Sequence, residues 1–523
     1  MKNFSIAVLF FACILLSANE KALIESLSYM SSDAKELSVD LRGFMRDSFS
    51  MKFCDYILSY PEKSEYETEK LIEKARKLNF ASLYAYAESR ENLNKKSFKF
   101  DYKLVTAEKN PGRIDFLADT SVADSAYYMK ALEFLSGINN EKEKKKRRIL
   151  MLESVDFLLL MEDSEVLEFA KKLKSNNDAE SKIIIGGFGP DTHHLTQENV
   201  LIVEPGGDDV YLCGEGYSIA CGVDGISGII DIAGDDFYQG KGFDLGCGIN
   251  GAGFIDDRMG NDRYSSSFCA LGAGFDGIGF ILDRKGNDEY ISSGLSQGFG
   301  FTKGLGLIFD MDGNDSYLAV GGINDHREEG YHSHMSQGFG FGVRDIASGG
   351  VGLILDERGD DLYSGEYFVQ GSSYWRSAGI LYDGEGNDIY KSRRYSQGAG
   401  THFTVGLLFD REGNDLYHSW GVSQGCGHDF SFGMLSDYAG DDLYFSTWLS
   451  QGAGNANGAG VLLDFNGDDS YKALKTDCQG WANPDRKTYS YGILFDMKGR
   501  DSFSSSFQKT EVKCRMGVLI DKD

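Results

Sequence analysis

Short apolar runs closed by aspartate recur along most of the chain. Residues 405–410, Val-Gly-Leu-Leu-Phe-Asp, are wholly apolar up to Asp410. That pattern suits a strand covered on both faces, or one facing a solenoid core. From Asp410 the chain reads Asp-Arg-Glu-Gly-Asn-Asp, which predicts a turn in which Gly413 takes a positive φ while Asp and Asn bond nearby backbone. Leu416 to Trp420 read as a second strand, and Ser-Gln-Gly from Ser423 as another bend. Upstream the period changes. "ALIESLSYM" from Ala22 and the stretch from Arg147 to Leu173 space apolar residues three and four apart, which predicts amphipathic helices.

The turn recurs at a fixed interval. Asp-x-x-Gly-(Asn/Asp)-Asp-x-Tyr begins at Asp231, Asp257, Asp283, Asp310, Asp356, Asp383, Asp410, Asp437 and Asp464, with degenerate copies at Glu204 and Asp496. Successive starts lie mostly 26 or 27 residues apart, with one interval of 46 between Asp310 and Asp356 and one of 32 before Asp496. A unit this short cannot bury a face alone but can when stacked. It is too short for a propeller blade and lacks the asparagine of leucine-rich repeats. The prediction is a mainly β protein: a parallel β-helix or β-solenoid of about 11–12 rungs over residues 183–523, with an insertion around 320–345. An N-terminal α-helical domain over 19–182 is expected to cap one end, and "GVLID" at 517–521 to form a final strand.

Residues 1–18 combine an early Lys2, an apolar run from Phe4 to Leu16 and a small residue at Ala18. They read as a secretory signal cleaved after Ala18, which implies a secreted, periplasmic or cell-surface protein. Cys13 is the less favoured lipidation alternative, since Phe10-Phe11-Ala12 is a poor lipobox. No later segment has 18 consecutive apolar residues, so no transmembrane span is expected in the mature chain. Residues 1–190 hold 30 acidic and 29 basic residues, leaving 50 and 24 for the rest, so nearly all of the net charge of -27 belongs to the repeats. This argues against nucleic acid as a partner and for cations or plain solubility. The basic run at 139–148 reads as a solvated helix start.

Stacking turns the repeated acids into ladders. Asp231, Asp257, Asp283 and Asp310 fall in one column, and Asp236, Asp262, Asp288 and Asp315 in a second beside it. Carboxylates about 5 Å apart repel by roughly 1 kcal/mol per pair even in water. Either backbone N–H groups of the turns or cations between rungs must offset that. Gly-Asn-Asp-x-Tyr resembles the latter half of the nonapeptide of RTX, or hemolysin-type, calcium-binding repeats. The nearest local matches are "GGFGPDTHH" from Gly186 and "EPGGDDVYL" from Glu204, with Asp191 and Asp209 separated by 18 residues. The resemblance implies Ca²⁺ held by Asp191, Asp209 and the paired columns. It covers the turn and not the coil, because most copies occur once per 27 residues and Ser-Gln-Gly stands where the second RTX turn would be.

Other features compete for function. Gln297, Gln337, Gln397, Gln424 and Gln451 predict a buried amide ladder along the axis. In the insertion, His326, His332 and His334 form an alternative metal set, weighed against a plain polar loop. Glu366, Tyr367, Arg393, Arg394, His418, Trp420 and Trp448 follow the tyrosine column of successive rungs. Aromatic planes beside Arg and Glu suit a glycan-facing surface, and an extracellular glycan or envelope protein is the partner this implies. The leading reading is a structural or binding scaffold. The alternative is a carbohydrate-active β-helix hydrolase or lyase with a groove over rungs 356–464, where His402 and His428 lie in adjacent copies. Cys221 and Cys247 occupy equivalent places, close enough for a disulfide, with buried thiols the favoured state.

Overall fold

Each repeat forms one rung of short strands, and successive rungs pair in parallel without slipping. In the computed structural model, which describes residues 18–29, 47, 49–92, 141–176, 182–196, 199–214, 216–483, 490–504 and 517–522, the apolar runs build a 13-stranded parallel sheet from Ile183–Ile185 to Gly517–Asp521. The tyrosine-bearing strands build a 12-stranded parallel sheet from Thr192–Leu195 to Ser502–Phe503. A third side is made by a three-stranded and a five-stranded sheet, joined through single bridges at Gly300. The chain is therefore a β-solenoid of stacked coils, with Asp410 opposite Asp437 and Tyr417 opposite Tyr444. "GVLID" is the last strand of the first sheet, as its sequence predicts.

Strand alternation sorts each apolar run into two cores. In Val405–Asp410, Leu408 joins the interior column that includes Leu381 and Leu435 and packs on the tyrosines, whereas Val405, Leu407 and Phe409 join the core formed with the helices. Asp410 shares the parity of Leu408 and is fully buried. The uniformly apolar pattern thus has a direct cause, since the 13-stranded sheet is covered on both faces.

Six α-helices are described: α1 (Ala18–Tyr29), α2 (Lys52–Ser59), α3 (Ser64–Arg76), α4 (Phe80–Ser89), α5 (Glu141–Leu159) and α6 (Asp163–Asn176). They do not cap an end. They run back along the outer face of the 13-stranded sheet, from the last rungs to the first. Lys522 pairs with Glu25 of α1, and Ser436 bonds Asn19. Cys54 of α2 bonds the Ser377 carbonyl, Arg76 of α3 grips Glu357 through two bonds of 2.6 and 2.8 Å, and the Tyr84 hydroxyl of α4 reaches the Lys303 carbonyl. Arg148 of α5 forms a buried ion pair with Asp276, Arg258 meets Asp163 of α6, and α6 packs on the first strand. The basic run at 139–148 is thus not wholly solvated. The expectation of an end cap fails because an outer apolar column on every rung needs cover along its full length, which only elements laid lengthwise provide. Residues 1–17, including Cys13, lie outside the described residues.

The insertion forms a small antiparallel hairpin, Ile323–Asn324 with His332–Ser333. Cys221 and Cys247 face each other in register as buried thiols, with no disulfide between them.

The helix cover generates a test. Phe80 of α4 stacks on Phe280 with ring centroids 4.1 Å apart, both fully buried. Phe80→Ala is expected to destabilise the full chain by about 3–5 kcal/mol, read as a lower denaturation midpoint, while Ala at exposed Tyr60 leaves the midpoint within experimental error.

Candidate functional site: the acidic ladders and the arginine–tryptophan face

The turn is held by three hydrogen-bond columns, each linking one rung to the next. In the first, each tyrosine hydroxyl donates to the first aspartate of the following turn: Tyr238 to Asp257 Oδ2, Tyr264 to Asp283 and Tyr290 to Asp310, all at 2.7 Å. The rings themselves stack, with centroids 4.5–5.0 Å apart from Tyr211 to Tyr471, close to the spacing of paired strands. In the second column each Asp N–H donates to Oδ1 of the equivalent Asp one rung on: Asp236 to Asp262, Asp262 to Asp288 and Asp288 to Asp315, all at 2.6 Å. Between them an exposed Asn/Asp column runs in the opposite sense, with Asn287 N–H donating to Asn261 Oδ1 at 3.1 Å and Asn314 N–H to Asn287 at 2.9 Å.

The glycine of the turn is required by space. Gly413 does not take the positive φ that its position in the turn predicts. A Cβ on it would lie 1.7 Å from the Gly386 carbonyl oxygen and 2.7 Å from Asp415 Oδ1. The glycine column lets one turn settle on the previous one.

These bonds satisfy only part of the acid. Oδ2 of Asp209, Asp236, Asp262, Asp288, Asp315, Asp361, Asp388, Asp415, Asp442 and Asp469 is buried and receives no N–H or hydroxyl donor, its contact being the first-column carboxyl beside it, as Asp236 meets Asp231 and Asp315 meets Asp310. Each lies beside first-column carboxylates. Oxygens of Asp209, Asp231 and Asp236 fall within 4.8 Å of one another, as do those of Asp236, Asp257 and Asp262, and of Asp262, Asp283 and Asp288. Burial, and then the neighbouring carboxylate, pushes Asp236 up to about 10, Asp288 to about 11 and Asp315 to about 10. Asp262 rises to about 7, while Asp231 and Asp310, also raised by burial but held down by tyrosine hydroxyls, reach about 6. Asp257 and Asp283 are raised well above the ordinary carboxylate range by burial and adjacent aspartates.

The donor set fits a hard cation. It is made of oxygens only, and two oxygens across a calcium ion with ligand distances of 2.3–2.6 Å are separated by at most about 5 Å. No protein-family model matches this chain, and no curated protein or solved structure matches it either. The likeness to RTX repeats therefore rests on the turn residues alone.

The glutamines do not form an amide ladder. Gln297, Gln337, Gln370, Gln397, Gln424, Gln451 and Gln479 all adopt left-handed backbone, with φ between 49° and 59°. Their side chains bond backbone instead: Gln424 Nε2 donates to the carbonyls of Tyr417 and Phe445, both at 3.0 Å. The amide therefore fastens the bend to two successive tyrosine strands.

The arginine–tryptophan residues are brought together, with one exception. Arg393 lies between Trp420 and Tyr331, its guanidinium carbon 4.1 and 4.3 Å from their ring centres, and forms an ion pair with Glu328. Arg394 lies 4.7 Å over Trp448. The buried Tyr367 donates its hydroxyl to Glu328 at 2.6 Å. His418 lies apart on the tyrosine sheet, stacked on Phe445 at 5.0 Å. His402 and His428 are adjacent, with ring centres 6.3 Å apart, but His402 pairs with Asp429 and His428 bonds Asn455.

Much of this chemistry fastens the insertion hairpin. Glu328 holds Arg393 and Tyr367, Arg327 lies 5.0 Å over Phe368, and Glu366 receives His332 at 3.0 Å. Ligand atoms of His332, His334 and Glu366 lie within 4.8 Å, whereas His326 is exposed and outside that group. His334 Nδ1 accepts the Glu366 N–H at 3.0 Å, while Nε2 lies 2.9 Å from the Gly321 carbonyl. Burial lowers this imidazole to about 4. Both nitrogens being engaged by backbone, His334 binds a metal only by giving up one of those bonds. The Glu328 contact is not legible from the sequence, because its partners lie 39 and 65 residues away.

Arg393→Ala is expected to free the hairpin. Limited proteolysis should cut after Arg327 several-fold faster than in the parent chain, and Trp420 emission should shift as its cation–π partner is lost; unchanged cleavage would show the hairpin is fastened by other groups.

Proposed function

We propose that this chain is a secreted or cell-surface scaffold, an acidic β-solenoid whose ladders are stabilised by calcium and whose arginine–tryptophan face meets an extracellular glycan or envelope partner. The observation that carries the reading is the buried Oδ2, facing other carboxylates and receiving no N–H or hydroxyl donor, repeated on every second-column aspartate from Asp209 to Asp469. A buried carboxylate oxygen without a partner is costly, and the cost recurs on rung after rung. A divalent cation shared by neighbouring columns removes it. Trp420, 37 % exposed, and the half-buried Trp448 and Arg394 supply stacking planes and a planar donor for sugar hydroxyls or carboxylates.

Secretion is part of the same proposal. Cleavage after Ala18 makes Asn19 the first residue, and Asn19 N lies 3.3 Å from Oε2 of the buried Glu65. A new α-ammonium group there meets a carboxylate already in position. An oxygen-rich calcium site also suits the calcium-rich extracellular space.

The test is thermal unfolding of the full chain with millimolar Ca²⁺ and with chelator, at two pH values. Chelation is expected to lower the transition by many degrees, because a ligand bound only by the folded state stabilises it. Asp288→Asn with Asp315→Asn is expected to reduce that difference. Without calcium, stability should fall as pH rises from about 5 to about 9. The folded chain then keeps protons on Asp236, Asp288 and Asp315 that the unfolded chain, titrating near 4, has released. With calcium the fall should flatten or reverse, since the cation displaces those protons. A transition indifferent to chelation at both pH values would leave shared protons as the sole compensation and overturn the calcium reading.

A further inference from the structure

The first rung departs from the repeat in a coordinated way. In later rungs the second-column position is Asp, the position two residues on is Tyr, and the tyrosine hydroxyl meets a first-column Asp of the next rung. In the first rung these positions hold Asp191, His193 and Glu204. His193 pairs with Tyr211 in register, and its ring stacks on Tyr211 with centroids 5.0 Å apart, so it occupies the tyrosine column. Its Nε2 lies 3.0 Å from Glu204 Oε2, taking the place of the hydroxyl-to-carboxylate bond.

We propose that Asp191, His193 and Glu204 form a transition-metal site of the zinc class that closes the N-terminal end of the acidic ladder. Ligand atoms of the three residues lie within 4.8 Å of one another. Glu204 is fully buried, and its Oε1 has no hydrogen-bond partner. The extra methylene of Glu over Asp carries that carboxylate under Gly186, where a Cβ would come within 1.5 Å of Oε2. The carboxylate is thus accommodated by a glycine that leaves it room. Asp191 is positioned from both sides: its N–H donates to Asp209 Oδ1 at 2.5 Å, and its Oδ2 accepts the Gly187 N–H at 2.8 Å.

The donor chemistry separates this site from the turns below it. Those offer oxygen only, which suits a hard cation. One imidazole nitrogen with two carboxylates suits zinc and its neighbours in the first transition row. The replacement of Tyr by His and of Asp by Glu occurs where the stack ends and a terminal rung needs a distinct closure. The inference does not depend on calcium in the later turns: Asp191 and Glu204 are the end members of the two columns, and the nitrogen ligand, His193, replaces a tyrosine that no later turn uses as a cation ligand.

The experiment is a calorimetric titration of Zn²⁺ into the full chain in excess millimolar Ca²⁺, repeated with Co²⁺ to read its visible ligand-field bands. Three proteins are compared: the parent, His193→Gln, and the double variant His193→Tyr with Glu204→Asp, which restores the residue pair of the other rungs. The parent should take up one more Zn²⁺ equivalent than either variant, or bind that equivalent at least ~100-fold more tightly, as loss of a direct ligand exceeds the 10- to 100-fold effect of an outer partner. Co²⁺ bands should weaken in both. Identical zinc and cobalt titrations for all three proteins would overturn the site and leave His193–Glu204 a simple hydrogen-bonded pair. The calcium-dependent melting of His193→Gln should match the parent, so failure here is distinguishable from failure of the calcium ladder.

Discussion

Every residue of the repeat has a copy of itself about 4.8 Å above and below it, and this self-neighbour constraint decides what the repeat can contain. Apolar side chains satisfy it at once, which is why Leu381, Leu408 and Leu435 form one unbroken column. Tyrosine satisfies it twice, by stacking its ring and by donating its hydroxyl to the next rung's aspartate. Glycine satisfies it by leaving room for the carbonyl of the copy below. Aspartate, in both columns, meets its copy as a like charge on rung after rung.

The structure meets that difficulty by dividing the work among atoms. One oxygen of each first-column aspartate takes a tyrosine hydroxyl, and one oxygen of each second-column aspartate takes a backbone N–H from the adjacent rung. The exposed Asn/Asp column settles its own account by amide bonding. What remains is one oxygen per second-column residue, together with Oδ1 of Asp257, Asp383, Asp410, Asp464 and Asp496 in the first column, all buried among neighbouring carboxylates. The two explanations drawn from the sequence, self-satisfied turns and cation clips, are therefore not exclusive, because the hydrogen bonds of the turn engage one oxygen of each second-column side chain and leave the other facing carboxylates.

The solenoid was legible because a period of 26–27 residues constrains geometry more strongly than any single motif, and because the ladder contacts repeat identically. The register of Asp410 with Asp437 follows from that period alone. The helices were legible as helices, by contacts such as the buried Phe53, Ile57 and Leu58 face of α2, but not in place. Their docking depends on contacts such as Cys54 with Ser377 and Ser436 with Asn19, over 300 residues apart in sequence. The clue was present in the uniformly apolar strands, which already required two covered faces. Of the candidate sites, the acidic ladders and most of the arginine–tryptophan group could be placed by column, whereas the hairpin's hold on Arg393 and Tyr367 could not, since an insertion has no register. Repeat spacing places Gln424 in its column but not its partner, because spacing does not reveal that its backbone turns left-handed and directs the amide to the strands.

The measurement that bears most directly on the ladders is the calcium content of the full chain at equilibrium, counted by dialysis against buffered Ca²⁺ and elemental analysis. If neighbouring carboxylates share cations, the protein will hold several equivalents, approaching one per rung, and will release them together when the stack unfolds. A chain that retains its fold while holding less than one equivalent would contradict the account, because the buried Asp oxygens would then be compensated by protons alone.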